Sequence, residues 1–504
     1  MAHVRNNENE ALKKTSAARS TARRRGSPMS TDSALPLYHL GFVSLDREAE
    51  IDSLPVHGDV PAWLNGTLLR TGPCKFEVGD RAYNHWFDGL AMLHRFTFAD
   101  GQVSYANRFV RGHTFCEAER RGRISYAEFA TDPCRTLFGK IAALFSSRLT
   151  DNCNINVSEF AGQVVALEEP ALPIRFDPTT LETLGVYGYS DQIQGQISTA
   201  HPHRDTARQR HYNYMLQFGR KSTYRLFGID SEAGRQEVIA ELAVDRPAYM
   251  HSFGMSKQHL ILTEFPLVVN PLRLRFSGRP FIENYRWEPE RGLRFHIVEK
   301  DTGRVLAVAT GDAGFAFHHV NAFEDGDDVV VDMVAYPDSH VIQDLYLSPL
   351  RAGKPVTVAG MLTRFRIALK DGAVDRTELA SEPLELPRIN YAAAAGRSYR
   401  FVWGTGVQSA GGFFDSIVKI DVESGEIMRW YEPGYYPGEP VFVASPGSSI
   451  EDEGVILSVV LDPQIGRSFV LVLDASSLAE RARAEVPHHI PFGFHGNYFP
   501  RAAN

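Results

Sequence analysis

The apolar positions of this chain come in short runs. Val, Ile, Leu, Phe and Tyr alternate with polar residues and stop at Gly, Pro, Asp or Asn, which is the period of strands and turns. Long stretches of helical period are nearly absent. One unit recurs: an apolar strand, an acidic turn containing Thr, Ser or Gly, and a second strand. It occupies 174–184, 226–235, 296–305, 418–427 and 470–478, with a weaker copy at 365–374. Asp and Ser side chains satisfy the backbone of a tight turn, and Gly accepts the backbone angles such turns need. Successive copies lie roughly 50 to 70 residues apart, the length of a four-stranded propeller blade with variable loops. The pattern predicts an all-β chain, a β-propeller with a few short helices.

A length of 504 residues would ordinarily suggest two or three domains. Propeller blades share one toroidal core, so 34–504 reads as a single domain, and 43% apolar residues supply that core. Residues 1–33 differ in kind. Lys13, Lys14, Arg19, Arg23, Arg24 and Arg25 stand among Ser, Thr and Ala without an apolar segment. This predicts a disordered basic tail, or an extended start ahead of Met29, rather than a secretory signal. A net charge of -8 argues against a nucleic-acid partner. Cys74, Cys116, Cys134 and Cys153 form no CxxC pair and read as free thiols in a reducing, cytoplasmic compartment. No stretch is long and apolar enough to span a bilayer. The loops that cradle nucleotides are missing, so no nucleotide cofactor is expected. The Gly-rich run 404–412 reads as a propeller turn.

Roughly 11 to 17 residues past the end of each hairpin stand His201, His251, His318, Glu385, Glu439 and His495. That interval reaches the innermost strand of the next blade, which lines the propeller axis. All six side chains are therefore expected to converge on one axial point. A lone histidine beside an aromatic is usually packed or exposed, but four in phase with a repeat point to a metal. Adjacent strand residues face opposite ways, so His318 and His319 cannot both reach the axis, and Pro202 breaks the strand between His201 and His203. His85, His94, His488 and His489 have no such phase. Four imidazoles suit iron(II), copper or zinc. Zinc normally closes at four ligands, whereas six-coordinate iron(II) keeps two positions for dioxygen and a substrate. Glu169, Glu385 and Glu439 can accept the second ring N–H of the ligands, with Glu168 an adjacent alternative to Glu169. An iron oxygenase without a reducing cofactor must draw its electrons from the substrate. Splitting an electron-rich C=C bond with both oxygen atoms incorporated satisfies that.

Several motifs resemble the carotenoid cleavage oxygenase family, from about Asn65 to Phe499. They are NGTLLRTGP at 65–73, HWFDG at 85–89, TDPCR at 131–135, AHPH at 200–203, VNAFE at 320–324 and PFGFHG at 491–496. The resemblance implies a seven-bladed propeller under a helical and loop dome. It implies one iron(II) per chain held by His201, His251, His318 and His495, with Glu169, Glu385 and Glu439 behind them. The family also holds a retinoid isomerohydrolase and stilbene-cleaving enzymes, which are the alternative activities; a non-catalytic scaffold is the alternative of another class. Stilbene-cleaving members grip a phenol with Tyr and Lys, where this chain has Phe129 and Ile155. These two and Phe253 are the candidates for an apolar substrate tunnel, and the expected substrates are a carotenoid or apocarotenoid polyene and dioxygen. Leu137, Phe138, Ile141, Leu144 and Phe145 have helical spacing. The stretch 137–145 is therefore a candidate peripheral membrane contact, and Cys134 beside it a candidate for acylation.

Overall fold

The computed structural model describes residues 35–132, 149–189, 193–354, 356, 357, 359–409 and 412–501. The basic segment 1–33, Cys134 and the 137–145 stretch lie outside the described residues.

All six expected hairpins form, and each supplies the third and fourth strands of one blade. Ser222–Asp230 pairs with Gln236–Val244, Leu293–Glu299 with Val305–Gly311, and Ser416–Asp421 with Ile427–Tyr431. Ile174–Phe176, Met361–Ala368 and Arg467–Asp474 pair in the same way with the strands that follow them. The turns close as their chemistry dictates. Asp230 Oδ1 accepts the backbone N–H groups of Glu232 (3.0 Å) and Ala233 (2.7 Å), and Asp474 Oδ1 those of Ser476 and Ser477, both at 3.1 Å. Gly425 ends another such turn with φ of 74°, a backbone angle that side chains disfavour.

These six sheets and a seventh make a seven-bladed propeller. The seventh is built from both ends of the chain. The C-terminal strand Gly496–Pro500 is innermost and pairs with Gly66–Lys75, with Arg70 opposite Gly496. Leu90–Ala99 and Gln102–Phe109 follow outward, joined by the turn at Asp100 and Gly101. An Asp-Gly pair between alternating strands is a strong hairpin signal, yet this copy falls outside the repeat read from the sequence. The core lies between blades: fully buried Trp403 stacks on Phe442 of the next blade at 4.8 Å.

The Gly-rich run is not simply a turn. Gly404 and Gly406 lie in the strand Phe401–Gly406, so the run begins inside a strand.

Candidate metal centre

Four blades begin their innermost strand beside a histidine. His318 and His495 immediately precede His319–Asp325 and Gly496–Pro500; His201 and His251 stand just ahead of His203–Asp205 and Gly254–Met255. At these entry points the backbone has left one blade and not yet joined the ladder of the next, so its polar groups bond across blades. Thr199 Oγ1 donates to the carbonyl of His251, and Ser252 Oγ donates to that of Phe317 at 2.7 Å. His495 N–H donates to the carbonyl of Ile155 at 3.1 Å. Each ring is thus aimed by a neighbouring blade as well as its own.

The ring nitrogens of His201, His251, His318 and His495 all lie within 4.8 Å of one another. His201 Nε2 is 3.0 Å from His251 Nε2, and His318 Nε2 is 3.1 Å from His495 Nε2. Three rings have their other nitrogen on a carboxylate: His251 Nδ1 on Glu169 Oε1 at 2.7 Å, His318 Nδ1 on Glu385 Oε2 at 2.6 Å, and His495 Nδ1 on Glu439 Oε1 at 2.7 Å. A carboxylate only accepts, so each Nδ1 carries the proton and each Nε2 presents a lone pair inward. His201 has no carboxylate partner among the described residues and is the one partly exposed member. The expectation of six groups on one point is corrected here. Four imidazoles meet at the axis, while Glu385 and Glu439 stand one bond behind them, because a group directly behind a ring cannot also reach its front.

Burial keeps His201 and His495 neutral. Burial, then the neighbouring rings of His495, His251 and His318, hold His201 well below the usual histidine range. Burial lowers His495 to about 4, against the opposing pull of Glu439. Burial alone would raise Glu439, but Arg388, His495 and Arg70 overcome it and bring the carboxyl to about 2. Four converging ring nitrogens, three of the rings backed by carboxylates, fit a divalent transition metal by donor type. Two nitrogens bound at about 2.1 Å and at right angles to one ion stand about 3 Å apart, as both close pairs do here.

A cavity of about 260 Å³ opens against His251, His318 and His495. Phe87, Phe317, Phe413 and Phe494 dominate its walls. Its polar groups are already engaged: Tyr336 O–H donates to Glu385 Oε1 at 2.8 Å, Thr405 O–H to the Glu385 carbonyl at 3.1 Å, and Trp86 Nε1–H to the Phe492 carbonyl at 2.9 Å. Of the tunnel candidates, Ile155 lines this cavity. Phe129 does not line it and packs one layer behind, 5.3 Å from Phe87 and 5.6 Å from Tyr249. Phe253 is also displaced from it: fully buried, it stacks edge-on at 4.8 Å to His203, whose Nε2–H donates to the Phe253 carbonyl. His319 points away from the axis to Ser252 and Thr263. His85 and His94 bond the Ile342 carbonyl and Tyr105 O–H, each 2.9 Å away.

Sequence reasoning missed Tyr249, whose O–H donates to Glu169 at 2.7 Å, and Tyr336, which does the same for Glu385. It also missed Arg388, 3.4 Å from Glu439, and the wall residue Phe87. Phe87 and Arg70 lie inside motifs already singled out, which was the available signal; the two tyrosines carried none.

A family model described as retinal pigment epithelial membrane protein matches residues 42–500. The mitochondrial carotenoid-cleaving dioxygenase of Macaca fascicularis is 35% identical, covering 89% of this chain and 92% of its own. The β,β-carotene 15,15'-dioxygenase of Gallus gallus is 32% identical over 88% of this chain and 95% of its own. Among solved structures, an apocarotenoid oxygenase mutant of Synechocystis superimposes with a TM-score of 0.84 at 27% identity, covering 92% of this chain and 98% of that one. The cobalt-substituted form of the Synechocystis enzyme matches with a TM-score of 0.83 at 28% identity over the same shares.

Proposed function

The chain belongs to the carotenoid cleavage oxygenase family, and from that premise we propose that it is a non-haem iron(II) dioxygenase that splits one double bond of a carotenoid or apocarotenoid. The observation that carries this reading is the junction of two features: four convergent imidazole nitrogens and an apolar cavity where the Tyr336, Thr405 and Trp86 donors are already hydrogen-bonded. A hydrocarbon polyene fits walls dominated by phenylalanine, and burying it there is favourable by area alone.

The reaction inserts one oxygen atom at each carbon of the broken C=C bond, giving two carbonyl products. Dioxygen takes four electrons from the alkene, so no reducing cofactor is required. His201, His251, His318 and His495 would hold the iron, one ion per chain, and bound iron(II) would supply binding and activation of dioxygen. The rest falls to the chain. Glu169, Glu385 and Glu439 keep the Nδ1 proton of three rings in place, which fixes both tautomer and orientation. Phe87, Phe317 and Phe494 exclude water and lay the conjugated chain beside the imidazoles. Ile155, with Phe129 behind the wall, shapes the channel and offers no group to deprotonate a phenol.

Such substrates reside in membranes. We place a peripheral membrane contact at 137–145, on the helical spacing of its apolar residues. No helix among the described residues is long and apolar enough to cross a membrane. The working site is the cytoplasmic side of a membrane, and 34–504 works as one catalytic propeller.

Incubation of the purified, iron-loaded protein with β-carotene and several apocarotenals under ¹⁸O₂ tests the reading. Two carbonyl products, each carrying label, are expected. His251→Ala should lose bound iron and turnover together while keeping the far-UV spectrum of a β protein. Unlabelled retinoid alcohols from ester substrates would instead identify an isomerohydrolase. Full turnover by His251→Ala would refute the ligand assignment.

A further inference from the structure

The three carboxylates behind the imidazoles are not held alike. Glu169 and Glu385 each receive a tyrosine hydroxyl, from Tyr249 at 2.7 Å and Tyr336 at 2.8 Å. Glu439, with no exposed surface, faces two guanidinium groups instead. Arg388 Nη1 stands 3.4 Å from Glu439 Oε1, and its Nη2–H donates to Asn497 Oδ1 at 2.8 Å. Asn497 is itself tied to the Val157 carbonyl at 2.6 Å, so the fork of Arg388 is braced on a second blade.

Arg70 is the second guanidinium. It is 5% exposed, and its Nη2–H donates to the carbonyl of Phe494, the residue before His495, at 3.2 Å. Its Nη1 has no acceptor among the described residues. Gly496 makes room for this side chain, since a Cβ there would lie 2.3 Å from Arg70 Cγ. Gly496 follows His495, so the space for Arg70 is shaped by the neighbour of one ligand. Gly496 N–H also donates to Glu439 Oε2 at 2.9 Å.

Neither arginine reaches the cavity or the converging nitrogens. We infer that Arg70 and Arg388 are positioning residues of the metal centre. Arg388 fixes the Glu439 carboxylate, Arg70 fixes the Phe494 carbonyl, and together they set where His495 Nε2 points. This inference rests on the reading of His495 as a ligand.

Cobalt(II) added to metal-free protein is the probe, read by chelator competition, by its visible ligand-field absorption and by the thermal midpoint of the metal-free form. Arg388→Met should weaken cobalt binding about tenfold, the lower end of what loss of an outer partner costs. The absorption should shift, and the cobalt affinity should fall by more than the lowered metal-free midpoint accounts for, since Glu439 loses a buried partner. Arg388→Lys should recover part of the affinity. Arg70→Met should act in the same direction; if it does not fold, the Arg388 pair decides alone. Parental affinity and spectrum in Arg388→Met, alongside a His495→Ala protein that has lost cobalt, would overturn the inference. So would an affinity loss matched by a fall in the metal-free midpoint, which marks a structural role. Parental binding by His495→Ala would strike the ligand reading instead.

Discussion

His318 and His319 are sequence neighbours with unrelated tasks. His318 reaches the axis and Glu385, while His319, lowered to about 3 by burial, stays neutral between Ser252 and Thr263. The alternation of a strand was enough to separate them. Tyr249, Tyr336 and Arg388 were beyond such reasoning, because their partners lie 80, 49 and 51 residues away and no local period connects them. Residue-scale electrostatics also governs acid stability. Burial would raise Glu324, but His259, Ser256 and the Gln258 backbone N–H overcome it and hold the carboxyl at about 2. A carboxyl lowered on folding adds stability above its unfolded value, near 4.5, and loses it as pH falls toward 2. In that window the parent should lose stability with falling pH more steeply than Glu324→Gln. Thermal midpoints at intervals from pH 5 to pH 2.5 would check this, and parallel curves would count against it.

Each hairpin is specified by its own residues: alternating apolar positions and an acidic turn, with Gly where φ turns positive in four of the six and Leu181 and Leu478 there in the other two. That is why six of seven were legible without any tertiary knowledge. Blade-to-blade packing is a different kind of fact. Trp403 is fully buried against Phe442, and its Nε1–H donates to the Ala475 carbonyl at 3.2 Å, a contact fixed only once two blades lie side by side. Trp403→Ala should cost about 3–5 kcal/mol. For a chain of this length that lowers the thermal midpoint by roughly 3–5 °C. The imidazole cluster lies elsewhere, so cobalt affinity should be unchanged; calorimetry and chelator competition on the same variant separate the two effects.

At the scale of the molecule, the ring closes only when Gly496–Pro500 pairs with Gly66–Lys75. The same segment delivers His495, so closure and the metal centre share one strand. Removing 496–504 should leave the inner edge of Gly66–Lys75 unpaired and give aggregated protein that binds no cobalt, as judged by size-exclusion chromatography and dialysis. Stable monomer with bound metal would contradict this dependence. By itself the sequence determined the hairpins and their turns and put His201, His251, His318, His495, Glu385 and Glu439 in phase with them, because these are written in a spacing along the chain; Glu169 lies outside that spacing. The tertiary structure alone decided that four rings meet while the carboxylates stand behind, that Phe253 turns away from the cavity, and that Arg70 and Arg388 flank Glu439. Those outcomes depend on distances between blades, and such distances are set by packing around a closed ring rather than by any local period.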